Sequence, residues 1–78
     1  MTDEKDWIRK LASVMRKLRS PEGCPWDREQ THASLKKYLM EECGELLDAV
    51  DSGENEAIME ELGDILMHIV LHSTIAEE

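Results

Sequence analysis

Phenylalanine is absent from this 78-residue chain, and its aromatic set is confined to Trp7, Trp26 and Tyr38. The core must therefore be built from Leu, Ile, Val and Met, and in so short a chain it would gain from a second subunit. Cations are scarce too: nine Lys and Arg stand against eighteen Asp and Glu, a net charge of −9. That balance argues against a nucleic-acid-binding surface, which needs Lys and Arg to neutralise phosphates. A phosphorylated ligand stays open, provided metal cations come between carboxylate and phosphate. Cysteine is limited to Cys24, in a Pro/Gly loop, and Cys43, inside an expected helix; without a CxxC spacing, they read as two free thiols in a reducing cytosol. No apolar run is long enough to span a membrane, and the opening Met-Thr-Asp-Glu-Lys-Asp is too acidic for a signal peptide. A cytoplasmic protein with no membrane partner is expected.

What is present is helical periodicity, and the fold class it predicts is all-α. Trp7, Ile8, Leu11, Val14, Met15 and Leu18 recur at helical spacing over about Asp3 to Arg19. Ser20-Pro21-Glu22-Gly23-Cys24-Pro25 stops that helix. Asp27 and Gln30 have capping-box spacing and Thr31 is a second N-cap candidate, so a short turn leads into a long helix from about His32 to Asp51. Ser52-Gly53 ends it, and a third helix starts near Asn55 and runs to the end of the chain. The last two form an antiparallel hairpin beside the N-terminal helix. Between Ile65 and Leu71 the apolar residues point in nearly every direction, the pattern of a helix buried on more than one side, here against a partner chain. A four-helix-type bundle formed on dimerisation is the expected assembly.

Helical wheels expose an anomaly. Leu35, Leu39, Leu46 and Val50 mark the stripe of the second helix, with Tyr38 and Ala49 on its flank, and Glu42 falls in its middle with Glu45 at its edge. On the third helix the stripe is Ile58, Leu62, Ile65, Ile69 and Ala76; Glu61 sits beside it and Asp64 one turn on. An ionised carboxylate in an apolar seam loses its hydration. Four converging carboxylates also repel and raise one another's pKa values. An all-oxygen set of this size suits a hard divalent cation, Mg²⁺ or Mn²⁺, better than zinc. ExxE and ExxD spacings are common on solvated helix faces, and Glu54, Glu56 and Glu60 fit such a face. Two pairs on successive helices, each intruding on its apolar stripe, favour the metal. His68 and His72, at i and i+4 and preceded by Asp64, are zinc-capable in spacing, but no Cys or third His joins their face, so they read as interface or supporting residues. His32 is expected to be exposed.

Three segments also resemble a known family. Leu18 to Pro25 continuing into Trp26-Asp27-Arg28-Glu29-Gln30-Thr31-His32 resembles the start of a MazG-type domain. Glu41-Glu42-Cys43-Gly44-Glu45, followed by Glu61-Leu62-Gly63-Asp64, matches that family's EExxE and ExxD signature. The resemblance covers roughly residues 11 to 78. It implies a nucleoside triphosphate pyrophosphohydrolase that converts an NTP or dNTP to the monophosphate and pyrophosphate with Mg²⁺ (Mn²⁺ being possible). It also implies an all-α homodimer or higher assembly, and metal ligands at Glu42, Glu45, Glu61 and Asp64. Family members usually continue into a further helix that supplies basic residues. Nothing follows Glu78, so residues 1–78 are expected to be one such domain lacking a C-terminal helix, as in a fragment of a longer protein.

Within that frame a water attacks the α-phosphorus and pyrophosphate leaves. Glu41, adjacent to the ligand set, is the expected general base or second-metal ligand, against a plain i, i+4 ion pair with Lys37. Trp26, Gln30 and Tyr38 are the expected contacts to the base, although Trp26 could equally anchor the loop over the end of the core. Gly44 lowers helix stability by about 1 kcal/mol relative to Ala and leaves room for a ligand or a close helix crossing. Two alternatives stay open. A di-iron bundle needs two Glu-x-x-His motifs, and only Glu29 to His32 has that spacing. A non-catalytic acidic helical dimerisation module, binding a structural divalent ion, needs no turnover at all.

Overall fold

A computed structural model describes residues 4–78 and is all-helical over them: α1 (Glu4–Arg19), α2 (Pro25–Glu29), α3 (His32–Ser52) and α4 (Asn55–Glu77). Asp3, where the first helix was expected to begin, lies outside the described residues. No described helix is long and apolar enough to cross a membrane.

Each boundary has a local cause. After α1, the Cys24 amide turns back to donate to the Leu18 carbonyl at 2.8 Å. That turn brings Gly23 so close that a Cβ there would lie 2.2 Å from the Lys17 carbonyl oxygen, so only glycine fits. Pro25 does not simply prolong the break, as the sequence suggested. It opens α2 near its N-terminus, where its fixed φ and missing N–H cost nothing. The capping box also falls elsewhere than Asp27 and Gln30, because Asp27 is already inside α2. Thr31 caps α3 instead: its hydroxyl accepts from the Ser34 amide at 3.0 Å, and the Ser34 hydroxyl accepts from the Thr31 amide at 2.8 Å. At the other end Gly53 takes φ 73°, the left-handed conformation that releases the chain into α4 two residues later.

That short turn makes α3 and α4 an antiparallel hairpin, and α1 packs against α4 and α2. The core is small: Met15 from α1, Leu35 from α3, Val70 and Leu71 from α4, edged by Leu11, Ala12, Leu18 and Ile75. It lies at the end of the hairpin remote from the turn. The stripes are rolled from their expected positions. Ala49, not Val50, is buried on α3, and Leu62 and Ile69 of α4 are about half exposed. Facing α3 are Ile58, Glu61, Ile65 and His68, all half-buried. On α1, Trp7, Ile8 and Val14 also remain exposed.

Candidate functional site

Moving along the hairpin from the core toward the turn, the seam changes from aliphatic to acidic. The roll of α3 and α4 puts Glu42 and Glu61 into the interface half-buried, with Glu45 exposed at its edge. One carboxylate oxygen from each of these three residues lies within 4.8 Å of the others. Oε2 of Glu42 and Oε2 of Glu61 are shut off from solvent and have no hydrogen-bond partner. Buried acceptors without donors are rare in proteins, and a proton or a bound cation is what relieves them.

The electrostatics agree. Loss of water raises the Glu42 carboxyl above its ordinary value, and the charges of Glu45 and Asp64 push it further; His68 works in the opposite direction. Burial likewise raises Glu61, followed by Glu45, Asp64 and Glu42. Three acceptor-only groups held this close fit a hard divalent cation by donor type. Asp64 is exposed and does not join the three-way group, but its charge reaches both buried carboxylates.

Glu41 is exposed on the outer side of α3, and among the described residues it forms no ion pair with Lys37. Gly44 has open space where a Cβ would be, so no close crossing within the chain requires it.

Beside the acidic seam lies a cavity of about 240 Å³. Buried Met15, Leu35 and Leu71 line it together with Met67 and His68, and the more exposed Trp26 and Tyr38 form its rim. Those two rings meet edge to face with centroids 6.4 Å apart. Glu42 lines the cavity as well and so joins it to the carboxylate cluster. Trp26 is 51% exposed, a rim residue rather than a plug over the core. Gln30 does not line the cavity. Its amide nitrogen donates to the Trp26 carbonyl at 3.0 Å and its amide oxygen accepts from the Ser34 hydroxyl at 2.8 Å, so it ties α2 to α3.

Two features escaped the sequence reading. Arg19 is one: its guanidinium donates to the carbonyls of Asp27 at 2.6 Å and Gln30 at 2.8 Å, capping the end of α2, and pairs with Glu78. A basic residue just before a Pro/Gly loop was the available signal. The histidines are the other. A third one does join the face of His68 and His72: Nδ1 of His32 lies 2.8 Å from Nδ1 of His72. The rings are nearly parallel with centroids 5.0 Å apart, which sets the two nitrogens head to head on the line between ring centres. One must donate and the other accept, so those lone pairs do not converge on a metal. Burial and the two neighbouring histidines lower the pKa of His72. Both cysteines are free, as expected.

Comparison with known proteins gives a consistent answer. The family described as the MazG nucleotide pyrophosphohydrolase domain matches residues 30–78. A Thermotoga maritima protein named nucleoside triphosphate pyrophosphohydrolase/pyrophosphatase MazG is 59% identical over 68 residues, 87% of this chain and 27% of that one. A Mycobacterium tuberculosis nucleoside triphosphate pyrophosphohydrolase is 52% identical over 66 residues, 85% of this chain and 20% of its own length. One from Escherichia coli K12 is 43% identical over 72 residues, 91% and 27%. The chain thus spans about a quarter or less of the curated relatives it matches.

Proposed function

The chain belongs to the MazG nucleotide pyrophosphohydrolase family, and from that premise we propose that it hydrolyses nucleoside triphosphates, NTP or dNTP, to the monophosphate and pyrophosphate with Mg²⁺ or Mn²⁺ in the cytoplasm. The observation that carries the reading is the trio Glu42, Glu45 and Glu61, gathered within 4.8 Å with two buried oxygens left unpaired.

In this reading Glu42, Glu45 and Glu61 hold the cation, and Asp64 turns inward to complete the set. A cation held by these carboxylates would supply charge neutralisation for the triphosphate and for the departing pyrophosphate. Glu41, on the exposed side of the same helix turn, takes the proton from the water that attacks the α-phosphorus. Trp26 and Tyr38 position the base at the cavity rim. The assembly is a homodimer or larger. Its support is the apolar groove of about 350 Å³ between α1 and α4, edged by Trp7, Ile8, Val14 and Leu66, together with exposed Leu62 and Ile69. Apolar surface so extensive on a small chain marks an interface.

A panel of NTPs and dNTPs incubated with Mg²⁺, scored for monophosphate and pyrophosphate, tests the activity. Glu42→Ala and Asp64→Ala should each abolish product release while keeping helix content by circular dichroism; unchanged turnover in both removes those residues from the mechanism. One observation favours a second reading, an acidic dimerisation module with a structural ion: no Lys or Arg is among the residues lining the cavity or forming the cluster. That module would gain thermal stability from Mg²⁺ and release no pyrophosphate from any triphosphate.

A further inference from the structure

The cavity beside the carboxylate cluster is small and largely apolar, and besides Glu42 two polar side chains line it, Asp27 and His68. Asp27, half-buried in α2, lines it together with Glu42. The Asp27 carboxylate makes no hydrogen bond among the described residues, whereas its backbone is fixed, with the carbonyl accepting from Arg19 at 2.6 Å. At about 240 Å³ the cavity is smaller than the roughly 300–1,000 Å³ common for sites that enclose a drug-sized ligand. It holds one flat ring system and leaves the rest of a nucleotide outside. Glu42 belongs to both cavity and cluster, so a base seated here sends its phosphates toward the carboxylates.

We propose that Asp27 is a specificity-determining residue that reads the base in this cavity and selects nucleotides whose base carries an exocyclic amino group. The proposal rests on the triphosphate reading above and deepens it. An ionised carboxylate only accepts hydrogen bonds. Cytosine and adenine offer it an amino donor, and guanine offers an amino group as well. Uracil and thymine present a single N–H flanked by two carbonyl oxygens, and those oxygens facing a carboxylate leave acceptor against acceptor, unsatisfied on both sides. Trp26 and Tyr38 supply aromatic surface for stacking, which any base accepts and which therefore adds affinity without choosing. Choice falls to the polar groups on the wall, and of these Asp27 is the acceptor beside Trp26, while His68 lies next to the carboxylate cluster on α4.

The test compares cytidine with uridine. They are of equal size, and without phosphates their binding needs neither metal nor turnover. Binding to the full chain is followed by Trp26 fluorescence in a Trp7→Phe background, which removes the only other tryptophan. Cytidine should bind roughly tenfold more tightly than uridine, the discrimination one good base contact provides, and Asp27→Asn should erase the gap. Equal binding of the two nucleosides, no response at Trp26, or a gap that survives Asp27→Asn each overturns the proposal. Should Asp27→Asn lose helix content, Tyr38→Ala decides: it should weaken both nucleosides alike, and undiminished binding places the base elsewhere. Failure of the triphosphate panel alongside a clear cytidine preference refutes the enzymatic reading alone. Hydrolysis of CTP and UTP at equal kcat/KM, with equal nucleoside binding, refutes this inference alone.

Discussion

The two halves of the α3–α4 hairpin are made from the same backbone geometry and opposite chemistry. Near its open end, Leu35 is sealed against Leu71, Val70 and Met15, and Thr74, the one buried polar residue among those described, spends its hydroxyl on the Val70 carbonyl at 2.8 Å. Toward the turn, the equivalent seam holds Glu42 and Glu61, whose inner oxygens find no donor. The first half is mainly aliphatic, with the inner nitrogens of His68 and His72 left unpaired at its edge, and the second breaks the rule against burying unpaired charge. With so small a core there is little stability in reserve, so the acidic half is costly unless its charge is compensated, and the apolar half has to support it.

The contrast can be tested from both sides. Truncating the apolar half should have the largest effect: Leu35→Ala, at a site 1% exposed, should cost about 2–5 kcal/mol and lower the urea midpoint or unfold the chain. On the acidic side the sign reverses. Glu42→Gln with Glu61→Gln should raise the Tm of the metal-free protein and abolish the further rise that Mg²⁺ gives wild type. A fall in Tm without metal would show that the cluster is not strained. Loss of these ligands should weaken Mg²⁺ binding by on the order of 100-fold or more, since even groups supporting a ligand are worth 10–100-fold.

The pH dependence follows from the same strain. Folding raises the Glu42 and Glu61 pKa values above their ordinary value of 4.5, so the folded state holds these protons more firmly than the unfolded one. Their favourable contribution is present at low pH and is lost as pH rises through the raised values. Metal-free wild type should therefore gain stability as pH falls toward the ordinary carboxylate range, and the double Gln variant should not. Glu77 and Glu78 act in the opposite sense, because Arg16 and Arg19 hold them below the ordinary value. Their contribution is present above it and is lost only as pH falls further, so the two windows separate in an acid titration of Tm.

Smaller effects mark the boundary between the halves and the surface. Thr31→Ala removes the cap of α3 and should cost about 1 kcal/mol in denaturant unfolding. Arg16→Ala breaks an ion pair whose side chains are 57% and 46% exposed and should lower the Tm only slightly, the smallest of these effects.

Much of the fold was legible because helix ends are written locally. Gly53 and Asn55 marked the turn, and Thr31 was one of two N-cap candidates. The carboxylates were legible because a Glu within an apolar stripe is conspicuous on a wheel. What the sequence withheld was rotation and distance. A wheel ranks the faces of one helix but does not know the partner's shape, so Val50, Leu62 and Ile69 were placed inward and turned out exposed, while Ala49 was drawn in. The same roll carried Glu61 from the edge of its stripe into the seam. The His32–His72 pair spans forty positions and has no periodic signature. Neither does the bond from Arg19 to the end of α2, nor the cavity that Asp27 and Glu42 share.

Arg19 has a wider consequence. From the last turn of α1 its Nη1 donates to the carbonyl of Asp27 in α2 and to that of Gln30, the residue that caps it, so the platform carrying Trp26 and Asp27 is braced by a neighbouring helix and does not depend on the stiffness of its own short segment alone. In the proposed reading, selectivity and scaffold are thereby uncoupled. Side chains on the platform can change without moving the acidic seam, and a lineage could retune which nucleotide it accepts through one or two substitutions on α2 while its phosphate chemistry stays where it was.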